Sequence, residues 1–327
     1  MNVFLFTILL LLFFIFELVY FNLADKYNII DHPNHRSSHT KVTIRGGGII
    51  FPVGFLLASF YFRFDYPFFL VGLLLISGVS FMDDINPVGR RIRIAIHLVA
   101  VALLFFQLGL FSLQWCWILL GLTFVIGTIN AVNFMDGING ITGGYALITL
   151  STLYYINARG ILFTNENYLS VTICATLIFN FFNFRKQARC FAGDIGSVSI
   201  AIIIAFFLLQ LILKTHNLNY VLLLLIYGLD SSSTVLFRVI RRENVFDAHR
   251  SHFYQFLSNE KKIPHLIVAF GYALVQSIIN ALLINFPNQS PFKLLLLIFL
   301  SGIIFILIRF KIEGFSYLTQ NRKIINT

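Results

Sequence analysis

The chain has 327 residues, of which 58% are hydrophobic and only 12% are charged. A soluble domain carries about a quarter charged residues, so this composition argues against a soluble globular protein. The formal net charge of +10 does not indicate nucleic-acid binding. We expect most of the basic residues to set membrane topology and to attract anionic lipid headgroups and substrates.

Apolar runs of membrane-spanning length recur along the whole chain. A helix needs about 20 residues to cross the hydrocarbon layer, where each backbone group must pair within its own segment. The runs predict an all-α, multi-pass membrane protein of about eleven transmembrane helices, with ten as the alternative, in a single domain over residues 1–327. The predicted spans are 3–23, 47–62, 67–82, 93–110, 114–132, 141–157, 168–183, 197–213, 219–238, 264–286 and 292–309.

The first run is too long for a cleavable signal and no basic segment precedes it, so we interpret it as the first helix. The three cysteines are far apart and predict neither a disulfide framework nor a zinc site. Of the 24 Lys and Arg residues, 20 fall in one alternating set of loops. Positive residues concentrate on the cytoplasmic side. We therefore expect a bacterial inner-membrane protein with its N-terminus outside and its C-terminus in the cytoplasm.

The first predicted cytoplasmic loop ends in glycines 46–48, where the second helix begins. Free N–H groups at a helix start favour a phosphate, and glycine lets a phosphate approach the backbone closely. Arg36, Ser38, His39 and Arg45 would add hydrogen-bond donors. The alternative interpretation is a basic loop that only sets topology.

The second segment places Asp83 and Asp84 side by side at a predicted helix end. Two carboxylates at a membrane surface are costly to hold together unless a cation lies near them. Mg²⁺ takes a few carboxylates together with substrate phosphates. The pair therefore predicts a metal or catalytic role, unless Arg90, Arg91 and Arg93 simply neutralise it.

The third segment carries Asn130, Asn133 and Gly137 on one face at the end of the fifth predicted helix. Asp136 directly precedes Gly137, and Gly140 follows it by three residues. The two amides are able to bind a nucleotide or ligate a metal, and the two glycines would leave room for a flat base. The alternative is that the asparagines form hydrogen bonds between helices.

The fourth segment, Phe191-Ala-Gly-Asp194-Ile-Gly196, places one carboxylate between glycines just before the eighth predicted helix. This arrangement suits a metal-binding Asp194 beside an aromatic ring able to stack on a base. Ordinary packing is the alternative for Phe191, and on this segment alone it is the favoured one, because the chain contains 38 Phe residues.

The fifth segment supplies His249, Arg250 and His252 as donors within about one helical turn. Arginine matches phosphate through a forked pair of hydrogen bonds, and charged donors bind phosphate strongly. The segment predicts a diphosphate clamp, with a solvated basic loop as the alternative.

All five segments lie on the predicted cytoplasmic face and together supply the groups that phosphoryl transfer requires. A secondary transporter is the alternative from another class. It would show repeats and broken helices near the bilayer midplane, and the sequence indicates neither. Glu17 and Asp230 are the acidic residues inside predicted spans. For Asp230, a functional role and a hydrogen bond to a neighbouring helix both remain open.

In this order, the five segments resemble those of the polyprenyl-phosphate N-acetylhexosamine-1-phosphate transferases (glycosyltransferase family 4), over about residues 31–255. The fifth segment is similar to that of the bacterial O-antigen-initiating branch. The phospho-muramoyl-pentapeptide transferases of the same family have a different first loop and His-rich loop, and are the less favoured branch.

The resemblance implies transfer of N-acetylhexosamine 1-phosphate from a UDP-sugar to undecaprenyl phosphate in the membrane, with release of UMP, as the first step of O-antigen or related glycan synthesis. The implied cofactor is Mg²⁺, with Mn²⁺ as an alternative to it, and assembly as a homodimer is left open. Asp194 would be the main metal ligand, with Asn133 beside it. Asp83 and Asp84 would lie where the lipid phosphate meets the metal. A direct attack by that phosphate and a covalent aspartyl-phosphate route both remain open.

The resemblance also implies substrate-binding roles. Phe191 would stack on uracil against Gly137 and Gly140, and Asp136 would position the donor. The diphosphate and sugar would be held by His249, Arg250 and His252, and further substrate contacts would come from Arg45 and Asn130. Two features depart from the family pattern: Arg185 and Lys186 stand where prolines are common, and Ala192 replaces a larger apolar residue.

Overall fold

The computed structural model describes residues 3–32, 41–245, 249–286 and 290–320. Nearly all of the regular structure in these residues is helical. The α-helices are α1 Val3–Lys26, α2 Ile50–Tyr61, α3 Pro67–Ile85, α4 Arg90–Gln107, α5 Trp115–Met135, α6 Ile141–Ala158, α7 Glu166–Asn183, α8 Gly193–Thr215, α9 Leu225–Ile240, α10 Phe253–Gln255, α11 His265–Asn285, α12 Pro291–Glu313 and α13 Phe315–Thr319. Shorter 3₁₀ segments are Gly47–Ile49, Leu110–Ser112 and Leu218–Leu224, and a π-helical turn covers Phe256–Glu260.

Each of the eleven predicted spans coincides with a helical segment, so the prediction of an all-α, multi-pass membrane fold is confirmed. In the described part of the chain, seven helical segments are long and apolar enough to cross a membrane. The number of spans that do cross stays a prediction. The turn between the second and third predicted spans lies between Tyr61 and Pro67, and the proline takes a first-turn position that suits its missing N–H.

Helix α8 forms the centre of the bundle. Its residues Ile195–Leu211 are buried without interruption, because α2, α3, α5 and α6 pack around it. A helix that is apolar on all sides is expected in such a position. The rings of Phe69 on α3 and Phe206 on α8 stack with centroids 3.8 Å apart. The N-terminus of α8, which carries Asp194, therefore lies among the ends of the surrounding helices.

A short antiparallel hairpin ties the first loop to the start of α8. Strands β1 Ile30–Asp31 and β2 Thr43–Ile44 pair with Ile30 opposite Ile44. Ile44 also forms a parallel bridge with Cys190, and its carbonyl accepts the Phe191 N–H at 2.8 Å. Two loops that are about 145 residues apart in the sequence therefore share one hydrogen-bonded junction.

The ninth predicted span is not one continuous α-helix. A 3₁₀ segment ends at Leu224 and α9 begins at Leu225. The buried amide of Gln276 on α11 compensates for the break. It donates to the Leu222 carbonyl at 2.9 Å and accepts the Ile226 N–H at 3.2 Å. Backbone groups freed within a membrane need such internal partners.

Candidate active site

The Asp84 carboxylate caps the N-terminus of α8. Its two oxygens accept the N–H groups of Asp194 at 2.8 Å and Ile195 at 3.0 Å. Arg45 Nε lies 2.7 Å from Oδ1, and the Asp84 side chain is 0% exposed. An acidic side chain is favourable here because it satisfies free N–H groups at the positive end of the helix dipole. Because the side chain is fully buried and holds the start of α8, a positioning role is favoured for Asp84 over the predicted catalytic role.

Asp83 and Asp194 bring two carboxylates into direct interaction beside this cap. The Asn133 amide nitrogen at the end of α5 donates to Asp194 Oδ1 at 3.3 Å. Asp83 accepts the Val88 N–H at 2.6 Å and forms an ion pair with Arg93. The structure therefore joins the second, third and fourth sequence segments, and it identifies Arg93 as a partner of Asp83.

The donor atoms of Asp83, Asp194 and Asn133 fit a magnesium ion. Within the described ranges, no group of three or more His, Cys, Asp or Glu side chains is arranged as a ligand set. Mg²⁺ does not require such a group, because it takes one or two carboxylates and completes its shell with waters and substrate phosphates. Two carboxylates in contact repel each other unless a proton or a cation lies between them. Arg45, 3.9 Å from Asp194 Oδ1, adds positive charge beside the pair.

The glycines of the first loop pack against the residues before α8. The Gly47 N–H donates to the Phe191 carbonyl at 2.9 Å, and the Gly48 N–H donates to the Ala192 carbonyl at 3.1 Å. A Cβ on Gly48 would collide with the Gly196 Cα. The prediction that this N–H array binds a phosphate is therefore wrong for Gly47 and Gly48, because the protein uses both donors itself. The glycines allow two backbone segments to touch.

Gly193→Ala is expected to destabilise this junction. Gly193 has a φ angle of 70°, and a Cβ there would lie 2.5 Å from Asp84 Oδ2. Backbone strain and displacement of the cap should lower the melting temperature of the detergent-solubilised protein by about 5 °C. The matched control is Gly78→Ala on α3, where a Cβ would meet nothing within 4 Å. Equal melting temperatures for the two variants would contradict this account.

Gly137 and Gly140 contact aromatic side chains where a Cβ would otherwise lie. A Cβ on Gly137 would overlap the Tyr254 hydroxyl, and one on Gly140, whose φ angle is 83°, would overlap the Phe184 ring. The interpretation that these glycines leave room for a flat base is therefore wrong on this side of the segment. Asp136, between Asn133 and Gly137, has its pKa raised to about 7 by burial, so its proton is held more tightly than that of an exposed carboxyl group.

Two asparagines fasten the third segment to the loop after α7. Asn139 donates to the Arg185 carbonyl at 2.9 Å. Asn183 accepts the Gly140 N–H at 2.8 Å and donates to the Cys190 carbonyl at 2.8 Å. Neither asparagine stands out in the sequence as a candidate. A signal for Asn139 is its place in an Asn-Gly pair, since this pair favours a turn.

A cavity of about 580 Å³ is lined in part by Phe191, which precedes Asp194 by three residues in the sequence; Asp83, Asn133 and Asp194 are not among its lining residues. The half-buried Phe191 lines it together with Asn139 and the basic side chains of Lys41, Arg185 and Lys186. Its volume is in the range of small-molecule sites. An aromatic ring next to cationic groups suits an anionic ligand that carries a flat ring system.

The fifth segment forms a cluster at the end of α5. The rings of His249 and His252 stack with centroids 5.1 Å apart, and the Phe134 ring lies within 6.1 Å of both. Burial lowers the pKa of His249 to about 3. Burial disfavours the charged form of this imidazole, and its part in the predicted diphosphate clamp stays a prediction.

Asp230 holds His252 from inside the bundle. The carboxylate lies 3.3 Å from His252 Nδ1 and accepts the N–H groups of Phe253 at 3.0 Å and Tyr254 at 3.3 Å. It also accepts the Tyr272 hydroxyl at 2.6 Å. His252 Nε2 is buried and has no hydrogen-bond partner among the described residues. Asp230 thus caps α10 and orients the His252 imidazole, so this acidic residue within a predicted span has a structural role.

The remaining candidates lie apart from these contacts or outside the described residues. Asn130 is exposed on α5, one turn before Asn133, and takes no part in the hydrogen bonds described above. Arg250 is half-buried next to His249. Arg36, Ser38 and His39 lie outside the described residues, so the predicted donors of the first loop are represented by Arg45.

The fold and the site together define a multi-pass membrane protein whose paired carboxylates, amide and arginine are suited to phosphoryl-group chemistry. Residues 66–212 match the sequence profile described as Glycosyl transferase family 4. This match, together with the names of the relatives given next, confirms the predicted resemblance to the family and the prediction of a sugar-phosphate-transferring enzyme.

Curated relatives cover much of the chain. It is 26% identical to a protein of Bacillus subtilis (strain 168) named as a probable undecaprenyl-phosphate N-acetylglucosaminyl 1-phosphate transferase, over 81% of this chain and 76% of the relative. It is 26% identical to an undecaprenyl-phosphate alpha-N-acetylglucosaminyl 1-phosphate transferase of Yersinia pestis, over 78% and 74%. A phospho-N-acetylmuramoyl-pentapeptide-transferase of Streptococcus thermophilus is 28% identical, over 58% of this chain and 64% of the relative.

Proposed function

We propose that the chain transfers N-acetylhexosamine 1-phosphate from a UDP-sugar to undecaprenyl phosphate at the cytoplasmic face of the bacterial inner membrane, with release of UMP. The observation that carries this proposal is the meeting of Asp83, Asp194 and Asn133 at the N-terminus of α8, three residues after Phe191, which lines the cavity. The names of the Bacillus and Yersinia relatives support a polyprenyl phosphate acceptor and an N-acetylhexosamine donor. The first step of O-antigen or related glycan synthesis is the pathway position that fits this reaction.

The donor is proposed to bind with its uracil on Phe191 and its diphosphate toward Asp194. Lys41 and Arg185 in the cavity wall supply positive charge along this path. Asp83, Asp194 and Asn133 would hold Mg²⁺, or Mn²⁺ in its place. When bound, the ion would neutralise charge on the diphosphate and on the departing UMP.

The lipid phosphate is proposed to attack the β-phosphorus of the donor directly. A phosphate monoester has its second pKa near 6, so it needs no strong base to act as a nucleophile near neutral pH. Asp83, which is 11% exposed and interacts with Asp194, is placed to orient this phosphate or accept its proton. Asp84 is less suited because its side chain is 0% exposed and holds the N-terminus of α8, whereas part of Asp83 is accessible. A covalent phospho-sugar on the protein, formed without lipid, would contradict direct attack.

The test is transfer of radiolabel from a panel of UDP-N-acetylhexosamines to undecaprenyl phosphate in membranes, with Mg²⁺ or with EDTA. One donor should give a butanol-extractable lipid product that EDTA removes and added Mg²⁺ restores. UDP-N-acetylmuramoyl-pentapeptide belongs in the panel, because relatives of that branch also match the chain. Labelling of lipid from this donor alone would assign the protein to the pentapeptide-transferase branch instead. No labelling of lipid by folded, inserted protein would contradict the transferase proposal for these donors.

A further inference from the structure

Most residues of helix α12 are not buried, but the helix buries an arginine near its C-terminal end. Of the described residues of α12, those buried are Leu294, Phe305, Arg309 and Glu313. Arg309 is 1% exposed, although α12 lies beyond the 66–212 segment that matches the family profile. A buried charge is unfavourable unless it is paired and fully hydrogen-bonded. Its contacts therefore indicate what it stabilises.

Every N–H group of the Arg309 guanidinium has a partner. Nε and Nη2 pair with the two carboxylate oxygens of Glu313. Nη1 donates to the hydroxyls of Ser233 and Thr234 on α9, both at 2.9 Å. The second Nη2 hydrogen goes to the Ser251 carbonyl at 2.9 Å. All five donors of the fork are therefore used, and one of them holds the backbone next to His252.

Asp230 and Arg309 hold the same turn of backbone. Asp230 accepts the N–H groups of Phe253 and Tyr254 just after His252, whereas Arg309 donates to the carbonyl just before it. Thr234 links the two, because its hydroxyl contacts Arg309 at 2.9 Å and Asp230 Oδ1 at 3.2 Å. The backbone on both sides of His252 is therefore hydrogen-bonded to the helix bundle.

We propose that Arg309 is a positioning residue for the transfer reaction. By holding the Ser251 carbonyl, it fixes the His252 imidazole so that the buried, unpartnered Nε2 faces the donor diphosphate. This inference rests on the proposed function, and it gives the last long helix a part in substrate binding. In the sequence, Arg309 is the last residue of the predicted span 292–309 and belongs to none of the five segments.

A double-mutant cycle between Arg309→Lys and His252→Ala tests the coupling. Lysine keeps the charge but has three donors on one nitrogen and cannot reach Glu313, α9 and Ser251 together. We expect Arg309→Lys to raise KM for the UDP-sugar about tenfold, with little further effect in the His252→Ala background, because residues acting through one another are not additive. The KM for undecaprenyl phosphate should stay within about twofold in both cases.

Arg241→Lys is the matched control. Arg241 is as buried as Arg309 and pairs with Glu243 and the Leu318 carbonyl, but it makes no hydrogen bond to Ser251. Its effect should multiply with that of His252→Ala. Multiplied effects for Arg309→Lys as well would overturn the proposal. If Arg309→Lys does not fold, Arg309→Met with Glu313→Leu removes both charges together and takes its place in the cycle, because no buried charge is left unpaired.

Hydrogen exchange provides a readout that does not need transfer activity. Amides in the peptide covering residues 249–255 should exchange at least about tenfold faster in Arg309→Lys than in wild type, and at the wild-type rate in Arg241→Lys. Unchanged exchange in Arg309→Lys would overturn the positioning role. If wild type labels no lipid but this exchange pattern appears, the proposed function is contradicted, whereas the stabilisation of residues 249–255 by Arg309 is supported.

Discussion

Asp194→Asn is expected to lower transfer of labelled sugar phosphate to lipid by about 10³-fold, the scale of losing a charge-stabilising group in a preorganised site. Asp194 accepts from Asn133 and interacts with Asp83, so removing its charge removes the centre of the proposed metal site. The nearly isosteric amide should leave the melting temperature within about 2 °C of wild type. The measurement is the initial rate of butanol-extractable product at saturating Mg²⁺.

Glu260→Gln is the matched control for this substitution. Glu260 is an exposed carboxylate on the predicted cytoplasmic face, and the same loss of charge there should leave the rate unchanged. Equal rates for Asp194→Asn and wild type would contradict the proposed site. A large fall in the rate for Glu260→Gln would show that transfer depends on the overall charge of this face.

Asp83→Asn and Asp84→Asn are both expected to lose transfer activity, but for different reasons. Asp84→Asn removes the charge that caps α8 and leaves Arg45 without its close partner. We expect its melting temperature to fall by about 5 °C or more, together with a loss of activity. Asp83→Asn should lose about 10²-fold in rate with little change in stability, because Asp83 is exposed in part and caps no helix that carries the site.

Melting curves in detergent and initial rates separate these two carboxylates. A stable but inactive Asp84→Asn protein would return Asp84 to a direct catalytic role. A strongly destabilised Asp83→Asn protein would show that its contacts with Val88 and Arg93 are needed for the fold. The pair of variants is informative because two adjacent aspartates with the same sequence context have different surroundings in the structure.

The helical membrane fold was predictable because it follows from local properties of the chain. Apolar length alone requires a helix in lipid, and every predicted span has a helical counterpart. The candidate motifs were recognisable because they combine acidic, amide and glycine residues within short segments. The break before α9 was not predictable, because it depends on Gln276 of another helix to satisfy the freed backbone groups.

What the sequence by itself determined is the class of fold, the resemblance to a family and the residue types near the site. Only the tertiary structure decided which task each residue performs. Asp84 is a helix cap and Gly48 a point of backbone contact because segments distant in the sequence meet there. Arg309 likewise reaches Ser251 across 58 positions. Composition and short-range periodicity report on local structure, whereas these hydrogen bonds exist only after distant segments have packed together.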